Sequence, residues 1–72
     1  MKLYFENSRG VRRLIAEPDT EKAALKAISA FCEERNFHIY YIRSFRQPDD
    51  LKCFDVGSHT EFFYLDDNSK ED

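Results

Sequence analysis

The stretch "DTEKAALKAISAFCEERN", residues 19–36, decides the fold of this 72-residue chain, because in it the apolar residues recur with a helical period. Asp19 or Thr20 offers an oxygen that can cap the first free amide groups, and Asn36 is suited to end the helix in a left-handed conformation. A helix with one apolar stripe must cover a sheet. The predicted stripe consists of Ala24, Leu25, Ile28, Phe31 and Cys32.

Upstream of the helix, the sequence predicts a β-hairpin. "KLYFE", residues 2–6, alternates apolar and polar side chains, and "VRRLIAE", residues 11–17, returns as the second strand. Between them "NSRG", residues 7–10, predicts a type I turn in which Gly10 takes a positive φ. We therefore expect two antiparallel strands before the helix.

Downstream of the helix, the sequence predicts three more strands. "FHIYYIRSF", residues 37–45, is rich in β-branched and aromatic residues and is predicted to be a central strand. "LKCFDV", residues 51–56, and "EFFYLD", residues 61–66, flank a tight turn at "GSHT". Residues 67–72 are predicted to be a frayed acidic tail.

These elements predict one two-layer α+β domain over residues 1–66, with one helix on a mostly antiparallel sheet of four to five strands in β-β-α-β-β-β order. The pattern leaves open whether the helix joins two parallel strands or moves the chain from one sheet edge to another. A single domain is what 72 residues allow, and its core is small.

The charge is distributed unevenly along the chain. Residues 1–16 hold four basic residues against one acid, whereas residues 49–72 hold two against eight, within a net charge of −3. The acidic half could imitate the phosphates of a nucleic acid or serve solubility alone.

The cysteines and the first residues of the chain bear on where in the cell the protein is located. Cys32 and Cys53 lack a C-x-x-C spacing, so we expect two reduced thiols in the core. No apolar run is long enough for a signal sequence or a membrane span, which favours a cytoplasmic protein without membrane contact.

The "DVGSHTEFF" segment brings together residue types that occur in active sites and metal sites. Ser58, His59 and Asp55 or Glu61 would be the catalytic set, but adjacent serine and histidine side chains on a tight turn point apart. A metal site could recruit Cys53, Asp55, His59 and Glu61, but three or four ligands would have to converge on one point. We therefore expect a turn, with no catalytic residue, no metal and no cofactor.

Taken together, "CFDVGSHTEFFYL", "ERNFHIYYIR" and "KLYFEN" resemble a group of short proteins encoded by bacteriophages and prophages, chiefly of Gram-positive bacteria. The DVGSxxEFF string is the specific part of this resemblance, which extends over nearly the whole chain. The resemblance implies a phage accessory protein acting in the host cytoplasm, for example against a host defence, and it transfers no catalytic residue.

Aromatic residues are more numerous than one helix on one sheet can hide, with seven phenylalanines and four tyrosines. The sequence therefore predicts a non-enzymatic module that binds a protein partner through an aromatic sheet face and its acidic C-terminal half. The partner could also be a second copy of the chain, which would make a homodimer. An unpaired edge strand "EFFYLD" could add to a partner's sheet. The predicted partner-binding residues are Tyr40, Tyr41, Phe62, Tyr64, Asp66 and Asp67.

The alternative is a small single-stranded nucleic-acid-binding protein. Arginines on and near the first hairpin would contact phosphates, while exposed tyrosines would stack on bases. The acidic balance of the whole chain argues against this alternative. Its predicted residues are Arg9, Arg12, Arg13 and Arg43.

Overall fold

The structure is a computed structural model that describes residues 1–58 and 60–66. The described part contains β1 (Lys2–Glu6), β2 (Arg12–Ala16), α1 (Glu21–Glu34), β3 (Arg43–Arg46), β4 (Lys52–Asp55) and β5 (Phe62–Asp66). The helix packs on one side of a five-stranded antiparallel sheet, so the predicted two-layer α+β fold is confirmed. The predicted tail, 67–72, lies outside the described residues.

The five strands lie in the order β2-β1-β5-β4-β3, and every neighbouring pair is antiparallel. The helix therefore connects the two edge strands, β2 and β3, and carries the chain from one edge of the sheet to the other. The first and last strands meet in the middle, where Leu3 pairs with Leu65 and Phe5 with Phe63. No helix in the described part of the chain is long and apolar enough to cross a membrane.

Two predictions about strand position are wrong. Of the predicted central strand 37–45, only residues from Arg43 onward lie in a strand, and that strand is at the edge. Its neighbour β4 ends at Asp55, so the earlier residues have no ladder partner. The "EFFYLD" segment is not an edge strand but lies between β1 and β4, which suits its apolar side chains on both faces.

The predicted capping residues lie on either side of the helix, whose C-cap is Arg35. Thr20 is the N-cap, and its Oγ1 accepts a hydrogen bond from the Ala23 amide at 3.1 Å. Asn36 has a φ of 54°, and the Phe37 amide donates to the Cys32 carbonyl at 2.8 Å. This is the Schellman arrangement, which uses carbonyls that the last turn leaves unpaired.

The core lies between α1 and the face of the sheet that it covers. Three rings from three elements pack together, with centroids 4.8 Å apart for Phe5 and Phe31, 5.2 Å for Phe5 and Phe63, and 5.7 Å for Phe31 and Phe63. A salt bridge of 2.7 Å between Lys52 and Glu21 joins β4 to the first turn of the helix. The fully enclosed members of the core are Leu3, Ala24, Ile28, Cys32, Phe54, Val56, Phe63 and Leu65.

The first hairpin closes as the sequence predicts. The Asn7 carboxamide oxygen accepts hydrogen bonds from the amides of Arg9 and Val11, at 2.9 Å and 3.1 Å. The Gly10 amide donates to the Asn7 carbonyl at 2.9 Å, and Gly10 has the expected positive φ of 81°. Further along β2, a bulge at Ile15 shifts the register with β1.

Candidate docking face of the sheet

One face of the sheet carries no helix among the described residues, and we call it the open face. Side chains alternate along each strand, so the neighbours of the core residues Leu3, Phe5, Phe54 and Phe63 point to the open face. This face is built from all five strands.

A continuous apolar row crosses the open face. The strand registers place these residues side by side, and at about 4.8 Å per strand the row is about 19 Å long. Its two ends are open to solvent, with 47% of Leu14 and 45% of Phe45 exposed, whereas Tyr64 near the middle is only 8% exposed. The row, called the central row below, consists of Leu14, Tyr4, Tyr64, Cys53 and Phe45.

Two arginine–carboxylate pairs lie beside the central row, one near each edge. Arg12 Nε is 2.8 Å from Glu6 Oε1, and Arg43 Nη2 is 3.0 Å from Asp55 Oδ2. The Arg12 guanidinium also lies 3.8 Å above the centre of the Tyr64 ring. Tyr64 is thus covered in part by a charged side chain from β2.

The electrostatics of the central row keep its middle uncharged. Burial raises the pKa of the Cys53 thiol, and burial likewise raises the pKa of the Tyr64 hydroxyl. The hydrogen bond to Glu6 raises the pKa of Arg12, which is cationic in any case. Because Glu6 and Asp55 neutralise Arg12 and Arg43, the face has an apolar middle between charge pairs.

The structure brings together half of the residues predicted for partner binding. Phe62, Tyr64 and Asp66 alternate along β5 and all belong to the open face. Tyr41 lies next to this face, because the Arg43 guanidinium is 5.5 Å from the centre of its ring. Asp67 lies outside the described residues.

Tyr40, the sixth predicted residue, has a different environment. Its side chain is 71% exposed, and its ring is 4.4 Å from that of His38. Gly57 of the "DVGS" segment has a φ of 96°, and a Cβ placed there would be 2.9 Å from the Tyr40 Cβ. Gly57 is therefore required both by the backbone angle and by the close approach of Tyr40.

Leu14 and Phe45 were not among the predicted site residues, although they form the exposed ends of the central row. Alternation within β2 places Leu14 on the same face as Arg12, which the sequence indicates. Leu14 pairs with Tyr4, and this pairing shows that its face is the open one. The pairing joins two strands, so the alternation within β2 alone does not predict it.

The arginines predicted for nucleic-acid binding do not form one patch. Arg12 and Arg43 lie near opposite edges of the open face, and Arg13 pairs with Phe5 on the side of the helix. Arg9 lies in the hairpin turn. A strand of nucleic acid would have to cross the whole central row to contact both edge arginines.

The polar residues of the "DVGS" turn hydrogen-bond within the turn. Ser58 Oγ donates to Glu61 Oε1 at 3.0 Å and accepts from the Glu61 amide, and Asp55 Oδ1 accepts from the Gly57 amide at 2.9 Å. His59 lies outside the described residues. Within the described ranges, no group of three or more histidine, cysteine or acidic side chains is arranged to hold a metal ion.

A scan against protein-family models and searches of curated proteins and of solved structures find no match to this chain. The resemblance to phage accessory proteins therefore stays a prediction.

Proposed function

We propose that this protein is a non-enzymatic module that binds a protein partner through the open face of its sheet. The observation that carries the proposal is the central row, which crosses five strands, is buried in its middle and ends in two exposed apolar side chains, Leu14 and Phe45. Exposed apolar surface bordered by polar groups is characteristic of interaction sites. Tyrosine and arginine, both present here, are enriched among the residues that dominate binding energy.

The charges beside the central row favour a protein partner over a nucleic acid. Arg12 and Arg43 are each held by a carboxylate at 3.0 Å or less, so a phosphate would have to compete with Glu6 or Asp55 for them. An apolar middle with a polar rim is the usual anatomy of a protein–protein interface. The same arginines can exchange these contacts for acceptors on the partner at small cost, because the pairs are near the surface.

The proposal includes a phage setting and a basic partner. The predicted resemblance supports an accessory role toward a host defence or nucleic-acid-processing enzyme, and eight acids in residues 49–72 would steer a positively charged partner to this half of the molecule. Asp66, which pairs with Lys2 in the register of the sheet, lies at the margin of the open face.

Parallel capture experiments test the proposal. Tagged wild type and the Leu14→Asp/Phe62→Asp double variant are incubated with extract of the bacterial host, and bound proteins are compared. We expect the variant to lose the specific partner, because two charges interrupt the apolar surface. Val11→Asp is the matched control, since Val11 is about as exposed as Leu14 but lies in the hairpin loop.

Two results contradict the proposal. In one, wild type and the double variant retain the same proteins in equal amounts. In the other, Val11→Asp abolishes capture as completely as the double variant, which would show that added negative charge and not the open face decides binding. Circular dichroism of all three proteins establishes that they are equally folded.

Single-stranded nucleic-acid binding has its own test. If the alternative is correct, fluorescent oligonucleotides bind at low salt, the affinity falls steeply with salt, and Arg12→Gln/Arg43→Gln reduces that slope by about two units. A titration without binding at low salt excludes it. Oligonucleotide binding that depends on both arginines would contradict the proposal of a protein partner and would support nucleic-acid binding instead.

A further inference from the structure

We infer that the outer edge of β3 pairs with the same edge of a second copy of this chain, so that two sheets join into one of ten strands. This edge shares Arg43 and Phe45 with the open face, but the inference does not depend on the function proposed above. It is based on exposed apolar residues next to an edge strand, on a difference between the two sheet edges, and on the charge pattern along β3.

Exposed apolar side chains concentrate in and just before β3. Of the seven large apolar side chains exposed in the described residues, four belong to residues 40–45. The Tyr40 amide donates to the Val56 carbonyl at 3.2 Å, so this part of the chain still runs beside the end of β4, although outside the register in which Arg43 pairs with Asp55. These four side chains are Tyr40, Tyr41, Ile42 and Phe45.

The same segment has the composition of a strand but few ladder partners. Aromatic and β-branched residues predict a strand from residue 37 onward, yet only Arg43–Arg46 forms one. Nothing in the described residues pairs with the outer edge of β3. A strand from a second copy would supply the missing backbone partners and cover exposed apolar surface in one step.

The two edges of the sheet differ in how they resist such pairing. At the opposite edge, β2 has a bulge at Ile15, a device that twists a strand edge and hinders addition of another strand. β3 pairs with β4 in unbroken register from Arg43 to Arg46. Within these four residues the β3 edge has no such bulge.

The charges along β3 disfavour one register of this pair and are compatible with another. A two-fold axis through Ser44 places Arg43 opposite Phe45 of the second copy and Ile42 opposite Arg46 of the second copy, so that each arginine faces an apolar side chain. An axis through Arg43 would place two arginines directly opposite each other, which is unfavourable. Both arrangements keep side chains of the open face on one side, and only the first avoids like charges.

The first test is the mass in solution of wild type and of two variants at the same position. Analytical ultracentrifugation should give twice the monomer mass of 8.6 kDa for wild type. Ile42→Arg places a charge opposite Arg46 twice per dimer and should weaken dimerisation by about tenfold. Ile42→Glu removes the same isoleucine but faces Arg46 with an opposite charge, so its dimer should persist.

The second test reports the register directly. In the predicted pair the two Ser44 Cα atoms lie about 4.5 to 5.5 Å apart, which is within the range for a disulfide. Ser44→Cys should therefore give a covalent dimer under mild oxidation. Ser29→Cys, on the exposed outer side of α1, should not, and both native cysteines are buried and do not compete.

Three results overturn the inference. Wild type that stays monomeric up to about 1 mM excludes a meaningful association. A dimer that is equally stable in Ile42→Arg and Ile42→Glu uses another surface, and so does one in which Ser44→Cys crosslinks no faster than Ser29→Cys. Leu14→Asp tests the open face separately, because it should leave this dimer intact.

Discussion

The two faces of the sheet are both rich in aromatic side chains, but they are covered by different means. On one face, phenylalanines and leucines lie under α1 and are fully enclosed. On the other, Tyr64 is covered by the guanidinium of Arg12, which is itself held by Glu6. The first face is closed by the hydrophobic effect, whereas on the second a polar side chain covers Tyr64. This contrast explains how a sheet face without a helix can have a buried middle.

The largest expected difference between the faces is in stability. Phe63→Ala removes a ring that is enclosed by Phe5 and Phe31, and we expect it to lower the free energy of unfolding by about 3 to 5 kcal/mol. Phe62→Ala, one residue earlier and on the open face, removes a half-buried ring and should cost less than half as much. Urea denaturation of both variants measures the difference. Equal losses would show that the open face is as closely packed as the covered one.

Gly57 lies on neither face of the sheet, and its substitution gives a reference for the losses of stability on the two faces. Gly57→Ala combines an unfavourable positive φ with a clash against Tyr40, and should cost about 2 to 3 kcal/mol. Gly10→Ala has a similar φ but meets nothing within 4 Å, so it should cost about 1 kcal/mol. Thermal unfolding distinguishes the two. A loss at Gly57 no larger than that at Gly10 would mean that the contact with Tyr40 does not fix the exposed segment.

The polar cover of the open face is tested at two neighbouring arginines. Arg12→Ala removes both the stacking on Tyr64 and the pair with Glu6, and should cost about 1 kcal/mol. The expected loss is small because the side chain is partly exposed. Arg13→Ala has neither contact, so its stability should be unchanged within about 0.5 kcal/mol. Quenching of tyrosine fluorescence by a quencher dissolved in the buffer should increase only in Arg12→Ala, because only this variant uncovers the Tyr64 ring. Equal quenching in both variants would show that Arg12 does not cover the ring.

The smallest effect is expected from alkaline pH, because the thiols only begin to ionise there. Burial raises the pKa of Cys32 on α1 and that of Cys53 on the open face, so the folded protein holds both protons more tightly than the unfolded chain. Stability is then fully present below the unfolded thiol pKa of about 8.5 and declines as the pH rises above it. Denaturation midpoints between about pH 7 and 10 measure this slope.

Cysteine variants show how much each of the two thiols, one on each side of the sheet, contributes to this decline of stability with pH. Cys32→Ala and Cys53→Ala should each flatten the decline, since alanine has no thiol to ionise. If Cys53→Ala leaves the slope unchanged while Cys32→Ala flattens it, the open face admits water to Cys53, and the description of its middle as closed is wrong.

The sequence predicts part of the candidate site and misses the rest for a physical reason. Alternation along β5 correctly places Phe62, Tyr64 and Asp66 on one face. That Tyr64 is covered depends on Arg12 reaching across from β2, two strands away, and no periodicity within either strand contains this information. The functional assignment of the face remains a proposal, which the capture experiment tests.

The chain by itself determined the elements whose causes are local. Helical periodicity with Thr20 and Asn36 at the ends defines α1, and Asn7 with Gly10 defines the first turn, because capping and turn hydrogen bonds join residues a few positions apart. Only the tertiary structure decided that "EFFYLD" lies in the centre and β3 at the edge. Strand order results from pairing between distant segments, in which apolar area buried on both sides outweighs any local preference.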